Sequence, residues 1–162
     1  MEFYQILLNT KLYPAIVLIG ATTAAAVPAQ TTFQVTSSVP VVCSVTAAGM
    51  DFGAYHGDLS DHTSSITVTC NKGTPYQIRL DNGIHYSAPY RRLKHRTSAN
   101  YLIYELYRDA GRTARWGNDE ASSVHMTADG EAQQITVYGR VPASQSGQIG
   151  SYSNTTTVTV DF

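Results

Sequence analysis

The segment Tyr152-Ser153-Asn154-Thr155-Thr156-Thr157-Val158-Thr159-Val160-Asp161-Phe162 decides the fold class. Tyr152, Asn154, Thr156, Val158, Val160 and Phe162 share one face of an extended chain, and Ser153, Thr155, Thr157, Thr159 and Asp161 share the other. A side-chain period of two belongs to strands, and a run this rich in Thr and Val suits a pleated, half-buried surface better than a helix. The same alternation recurs upstream. Ile66, Val68 and Cys70 form one inward set, Tyr76, Ile78 and Leu80 a second, Leu102, Tyr104 and Leu106 a third, and Ile135 with Val137 a fourth. Asn71-Lys72-Gly73, Asp81-Asn82-Gly83 and Arg108-Asp109-Ala110-Gly111 supply turn chemistry between them. Gly139 and Val141-Pro142 close the fourth run, and Trp116 is expected to plug one end of the core. No window of the chain after its leader carries apolar residues at helical spacing with caps at both ends. The expectation is an all-β domain without helices.

Two segments stand outside this pattern. The polar stretch from Ser87 to Asn100, with Arg91, Arg92, Lys94, His95 and Arg96, reads as a solvated loop holding the chain's basic cluster. Nearer the N-terminus, Phe33, Val35, Ser37, Val39, Val41 and Cys43 alternate with Gln34, Thr36 and Ser38, but Pro40 interrupts them. A proline cannot donate to a ladder, so this is either an edge strand or two extended pieces. About six extended runs can be placed after Cys43, where an immunoglobulin-like sandwich needs seven. The last run ends flush with Phe162 and leaves nothing to form its successor, while Thr31–Val39 is amphipathic and without a place.

The 162 residues amount to one domain's worth of chain, and 11 basic against 12 acidic side chains give a net charge of −1. Without a Lys/Arg run the footprint for nonspecific nucleic-acid binding is missing, so nucleic acid is not an expected partner. Leu12–Ala26 is apolar, follows Lys11 and precedes Val27-Pro28-Ala29. Residues 1–29 therefore read as a secretory signal peptide, cut after Ala29 or Ala26. The stretch falls short of the roughly 20 apolar residues of a membrane span; with Glu2 ahead of Lys11, an uncleaved anchor is the other reading. In an oxidising compartment the even pair Cys43 and Cys70 argues for a disulfide, worth about 3.5 kcal/mol on a chain-entropy argument. Two buried free thiols are the alternative. Neither cysteine has a second Cys or His at ligand spacing, so no metal and no cofactor are expected.

Catalytic patterns are missing as well. His56, His62, His85, His95 and His125 are scattered and read as solvated loop histidines, and there is no nucleophile elbow, phosphate loop or dinucleotide fingerprint. The adjacent carboxylates Asp119 and Glu120 would point to opposite faces of a strand. Neither an enzyme nor a small-molecule substrate is expected. Tyr90, Tyr101 and Trp116 near the basic stretch suggest a carbohydrate-binding module as an alternative, and Arg91, Arg92, Lys94 and Arg96 could touch acidic polymers.

Several motifs in a fixed order carry a more specific message. They are Phe33-Gln34-Val35-Thr36 leading to Cys43-Ser44-Val45, then Met50-Asp51-Phe52-Gly53, then Ile66-Thr67-Val68-Thr69-Cys70. Tyr104-Glu105-Leu106-Tyr107-Arg108-Asp109 with Trp116-Gly117 comes next, then Val137-Tyr138-Gly139-Arg140-Val141-Pro142, and lastly Gly150-Ser151-Tyr152 running to Phe162. Together they resemble the spore coat protein U domain family, which includes the pilins of archaic chaperone-usher pili. The resemblance implies an incomplete immunoglobulin-like β-sandwich completed by a donor strand from another chain, first a periplasmic chaperone and then the N-terminal extension of the next subunit. Residues 30–39 would be that donor extension, with Phe33, Val35, Ser37 and Val39 facing the acceptor, and residues 40–162 the pilin-like domain. Tyr152, Thr156, Val158, Val160 and Phe162 would line the acceptor groove and contact the chaperone. The implied partners are a periplasmic chaperone, an outer-membrane usher and identical or homologous pilin subunits. The implied setting is export through the periplasm to a surface pilus supporting adhesion and biofilm formation, or secretion. The small Ser37, the short extension and Pro40 at the junction keep a minor subunit and a stand-alone secreted coat or matrix protein beside the major-pilin reading.

Overall fold

The computed structural model describes residues 24–162, so most of the expected leader lies outside the described residues. Two units are distinguished, with their boundary between Ser37 and Ser38. In the first, residues 24–37 hold neither helix nor strand and every side chain is exposed, Phe33 at 86% and Val35 at 81%.

The second unit contains β1 (Cys43–Ala47), β2 (Ser60–Cys70), β3 (Pro75–Leu80), β4 (Arg91–His95), β5 (Tyr101–Tyr107), β6 (Val124–Thr127), β7 (Gln133–Val141), β8 (Tyr152–Ser153) and β9 (Val158–Asp161). A single 3₁₀ turn, Glu120–Ser122, is the helical element among the described residues; Asp119 caps it, so Asp119 and Glu120 sit at a turn and not along a strand. The strands form a six-stranded sheet in the order β1-β2-β7-β5-β4-β8 and a three-stranded sheet in the order β6-β3-β9, with every pairing antiparallel. The inward sets read from the sequence make the core. Ile66, Val68, Leu106 and Val137 of the larger sheet and Tyr76, Ile78 and Leu80 of the smaller are all buried, each worth roughly 1.5–3 kcal/mol when removed from water. Trp116 is fully buried, and its indole N–H donates to the Ile78 carbonyl at 3.0 Å.

Four local expectations are corrected. First, the stretch taken as a solvated loop contains β4, and Arg91 is fully buried. Arg91 pairs with Glu105, donates to the carbonyls of Leu80, Asp81 and Trp116, and so ties the larger sheet to β3. Second, His95 is buried rather than solvated; its Nδ1 accepts from the backbone amides of Thr97 and Ser98, which leaves Nε2 to donate to the Ile149 carbonyl. Third, β7 runs through Gly139 instead of closing there. A Cβ at Gly139 would collide with Met50 Sδ and come within 2.8 Å of Phe52 Cζ, so glycine is what lets the Met50–Phe52 segment lie against the sheet. Fourth, the last alternating run is two strands. Tyr152–Ser153 pairs with β4 in the larger sheet, residues 154–157 cross over, and Val158–Asp161 pairs with β3 in the smaller.

Candidate functional site

The crossing at residues 154–157 leaves the two sheets unequal. Among the described residues β1 pairs only with β2 and β9 only with β3, so each presents one unpaired backbone edge. Directly opposed residues of an antiparallel ladder share a face. The register Cys43↔Cys70, Val45↔Val68 and Ala47↔Ile66 therefore turns Cys43, Val45 and Ala47 toward the core side. Val68 is nevertheless fully buried while Val45 is 41% exposed. On the other sheet, Leu80↔Val158 and Ile78↔Val160 put Val158 and Val160 on the core side, yet both remain half-buried beside fully covered partners. Core-facing side chains on both edge strands thus lack cover from the opposite layer.

A cleft of about 340 Å³ occupies this position. Ala47, Ala48, Gly49 and Ser64 form one wall, and Thr155, Thr156 and Val158 the other. Ile66, Leu80, Tyr104, Leu106 and Val137 make its floor, and Met50, Phe52 and Leu93 close one end. The lining holds no carboxylate, imidazole, thiol or amine. Its one titratable group, the Tyr104 phenol, is engaged by Thr156 Oγ1 at 2.9 Å and by the Asn154 amide at 2.8 Å. The cleft suits an apolar, extended segment whose backbone pairs with the flanking edges.

Both walls are fixed from behind. The disulfide Cys43–Cys70 joins opposed residues at the start of β1, and just beyond it Val42 donates to the Asn71 side chain while Asn71 N–H donates back to the Val42 carbonyl. The crossing is held by Asp81, whose Oδ1 accepts from Thr157 N–H at 2.9 Å and whose own N–H donates to the Thr157 carbonyl at 3.0 Å. On the outer face of the larger sheet Asp61 accepts from Nε and Nη2 of Arg140, at 2.7 and 2.8 Å, with Arg112 3.4 Å away. The hydrogen bond from Arg140, with the charges of Arg112 and Arg140 behind it, outweighs desolvation and holds the Asp61 carboxyl below its ordinary 3.8.

Of the residues expected to line an acceptor, Thr156 and Val158 do line this cleft, and Val160 follows on the same face of β9. Phe162 is 62% exposed and sits beyond, in a shallow recess with Tyr76 and Met126. Tyr152 is elsewhere, on β8 of the larger sheet, with its hydroxyl bonded to Asn100 and Gln148. Val39 is 84% exposed and Ser37 is exposed. Leu93, Ser64 and Ala47–Gly49 join the lining without a sequence signal of their own; Leu93 lies between charged neighbours that mask any apolar alternation. Trp116, buried to its last atom, has no face to offer a sugar ring, so the carbohydrate reading loses that residue.

The description Spore Coat Protein U domain matches residues 29–159. Over 106 residues the chain is 32% identical to Protein U of Myxococcus xanthus, an alignment that takes in 62% of this chain and 59% of that protein. Among solved structures, a chain in the crystal structure of the CsuC–CsuE chaperone–tip adhesion subunit pre-assembly complex, from archaic chaperone-usher Csu pili of Acinetobacter baumannii, matches with a TM-score of 0.60 and 25% identity. That match covers 76% of this chain and 40% of the other, so this chain spans less than two thirds of either relative. The chain belongs to the spore coat protein U domain family.

Proposed function

We propose that this chain is a structural, non-enzymatic subunit of an exported surface fibre of the archaic chaperone-usher type, assembled by donor-strand complementation and serving adhesion and biofilm formation. The cleft between β1 and β9 receives a strand, first from a periplasmic chaperone and then from the N-terminal extension of an identical or homologous subunit at an outer-membrane usher. Residues 30–39 are this chain's own donor, with Phe33, Val35 and Val39 as anchors and Ser37 as a small, weak one. One observation carries the reading: Val45 and Val158, on the core sides of two unpaired strand edges, stand uncovered beside an apolar cleft. A segment inserted there satisfies both backbone edges and covers both walls at once. A contact in which one molecule's extension fills the next molecule's cleft does not close on itself and therefore propagates as a fibre.

The test is co-expression with a cognate chaperone. The chain alone should aggregate or be degraded, the chaperone should rescue it, and deletion of residues 30–39 should abolish polymers while leaving the chaperone complex intact. A chain that is a soluble monomer without the chaperone and indifferent to the deletion would instead be a stand-alone coat or matrix protein.

A further inference from the structure

We propose that the outer face of β4 is a binding site for acidic polysaccharide. Of the other described cations, Arg140 and Arg112 pair with Asp61, Arg91 and Arg115 with Glu105, and Arg79 with Asp161, while Arg108 donates to the Ser123 carbonyl and Lys72 stands singly in the Asn71-Lys72-Gly73 turn. Arg92 and Lys94 project from β4 on the face opposite to Leu93, which lines the cleft, and the exposed Arg96 follows just past the end of the strand. None of the three has a carboxylate partner among the described residues. Their opposite neighbours on β5 are Ile103 and Tyr101, Ser153 flanks Lys94 on β8, and no acidic residue occurs between Asp81 and Glu105.

Arg92 is already arranged for an anion. Its guanidinium lies over the Tyr101 ring, 4.2 Å from the centroid, and its Nε donates to the His85 carbonyl at 3.0 Å. Stacked and pinned in this way, it has little side-chain freedom left to lose on binding. Its two terminal nitrogens, free of protein partners among the described residues, form the planar fork that matches a carboxylate or sulfate.

Same-face positions on a strand are about 6.7 Å apart, on the scale of a sugar residue, so Arg92 and Lys94 set a repeat of positive charge that Arg96 extends beyond the strand end. Tyr86 and Tyr90, exposed in the turn that leads into β4, add aromatic surface of the kind on which pyranose rings stack. Duplex DNA fits less well. It carries one charge per about 1.7 Å of axis and is held by a broad positive field, whereas this chain has a net charge of −1 and the cluster at β4 offers three cations.

To test this, the immobilised full chain is exposed to polygalacturonate as a carboxylate chain, heparin as a sulfate chain and dextran as an uncharged control. Binding to both acidic chains and not to dextran is expected, weakening as ionic strength rises. The triple variant Arg92→Ser/Lys94→Ser/Arg96→Ser should lose on the order of tenfold in affinity or more. Lys72→Ser, which removes one exposed charge elsewhere, should lose nothing. Arg92→Lys should fall between, because an ammonium keeps the charge and loses the fork. The thermal midpoint of the triple variant reports its folding, and Lys94→Ser/Arg96→Ser, which spares the Tyr101 stack, serves if that midpoint drops. Undiminished binding by a folded variant, equal binding to dextran, or tighter binding to duplex DNA or anionic vesicles than to either polysaccharide would overturn the proposal.

Discussion

Replacing Phe33 by Ala should speed the departure of a bound 30–39 segment from its cleft by one to two orders of magnitude. Phe33 is 86% exposed in the chain, so almost its whole side chain is available to be removed from water on docking. Burial of a Phe is worth about 1.5–3 kcal/mol, and truncation to Ala leaves unfilled space that adds to the loss. A cost of about 2–3 kcal/mol corresponds to roughly 30- to 150-fold in dissociation rate. Val35→Ala, with two fewer carbons, should cost about 1–1.5 kcal/mol, or roughly five- to tenfold. Ser37→Ala should change the rate less than about twofold, since it gives up no apolar area. The ordering cost of the backbone is common to all three and cancels. Fluorescent 30–39 peptides of each sequence, loaded by refolding the chain around them and chased with unlabelled peptide, give the rates directly. Equal rates for the three variants, or faster loss with Ser37→Ala than with Phe33→Ala, would refute the assignment of anchors.

Three further outcomes follow from the packing. Arg91→Met removes the buried one of the two cations on Glu105, leaving Arg115, and takes the donor from the carbonyls of Leu80, Asp81 and Trp116, so it should destabilise the domain by about 3–5 kcal/mol in denaturant unfolding; a loss under about 1 kcal/mol would show that this buried pair is dispensable. Gly139→Val should push Met50 and Phe52 off the sheet, costing about 1–3 kcal/mol and opening one end of the cleft, which a drop in donor-peptide affinity would register. Because the Asp61 carboxyl is held below 3.8, its ion pair contributes fully above that value and is lost as pH falls through the lower, folded-state value. The thermal midpoint should therefore decline on acidification below 3.8, and Asp61→Asn should flatten part of that decline. The effect is small because Asp61 is 31% exposed and solvent screens the pair.

The strands that build the core were legible because their inward faces are apolar without interruption: Ile66-Val68-Cys70, Tyr76-Ile78-Leu80 and Leu102-Tyr104-Leu106 each settle a face by period alone. β4 was not legible, for a physical reason. Its inward residues are Arg91, Leu93 and His95, so both faces look polar, and the burial of Arg91 is made tolerable only by Glu105 and three carbonyls contributed by distant parts of the chain. The final run illustrates the opposite problem. Its alternation continues unbroken from Tyr152 to Phe162, and nothing in that pattern marks where the chain leaves one sheet for the other. The change is imposed by Asp81 gripping Thr157 and by Tyr104 gripping Thr156 and Asn154. For the same reason the alternation groups Tyr152 with Thr156 and Val158, although Tyr152 belongs to the other layer.

In the proposed fibre the covalent link between Cys43 and Cys70 would have a mechanical consequence. Tension reaching the domain through residues 30–42 arrives at the first residue of β1, where a five-residue ladder alone would unzip one pair at a time. The sulfur bridge diverts that load across to the end of β2, whose 11 residues are registered against β7 at nine positions in the middle of the sheet. A pull strong enough to strip an edge strand must then shear the centre of the domain, and breaking the bridge with a reductant converts the same subunit into one that frays from its rim.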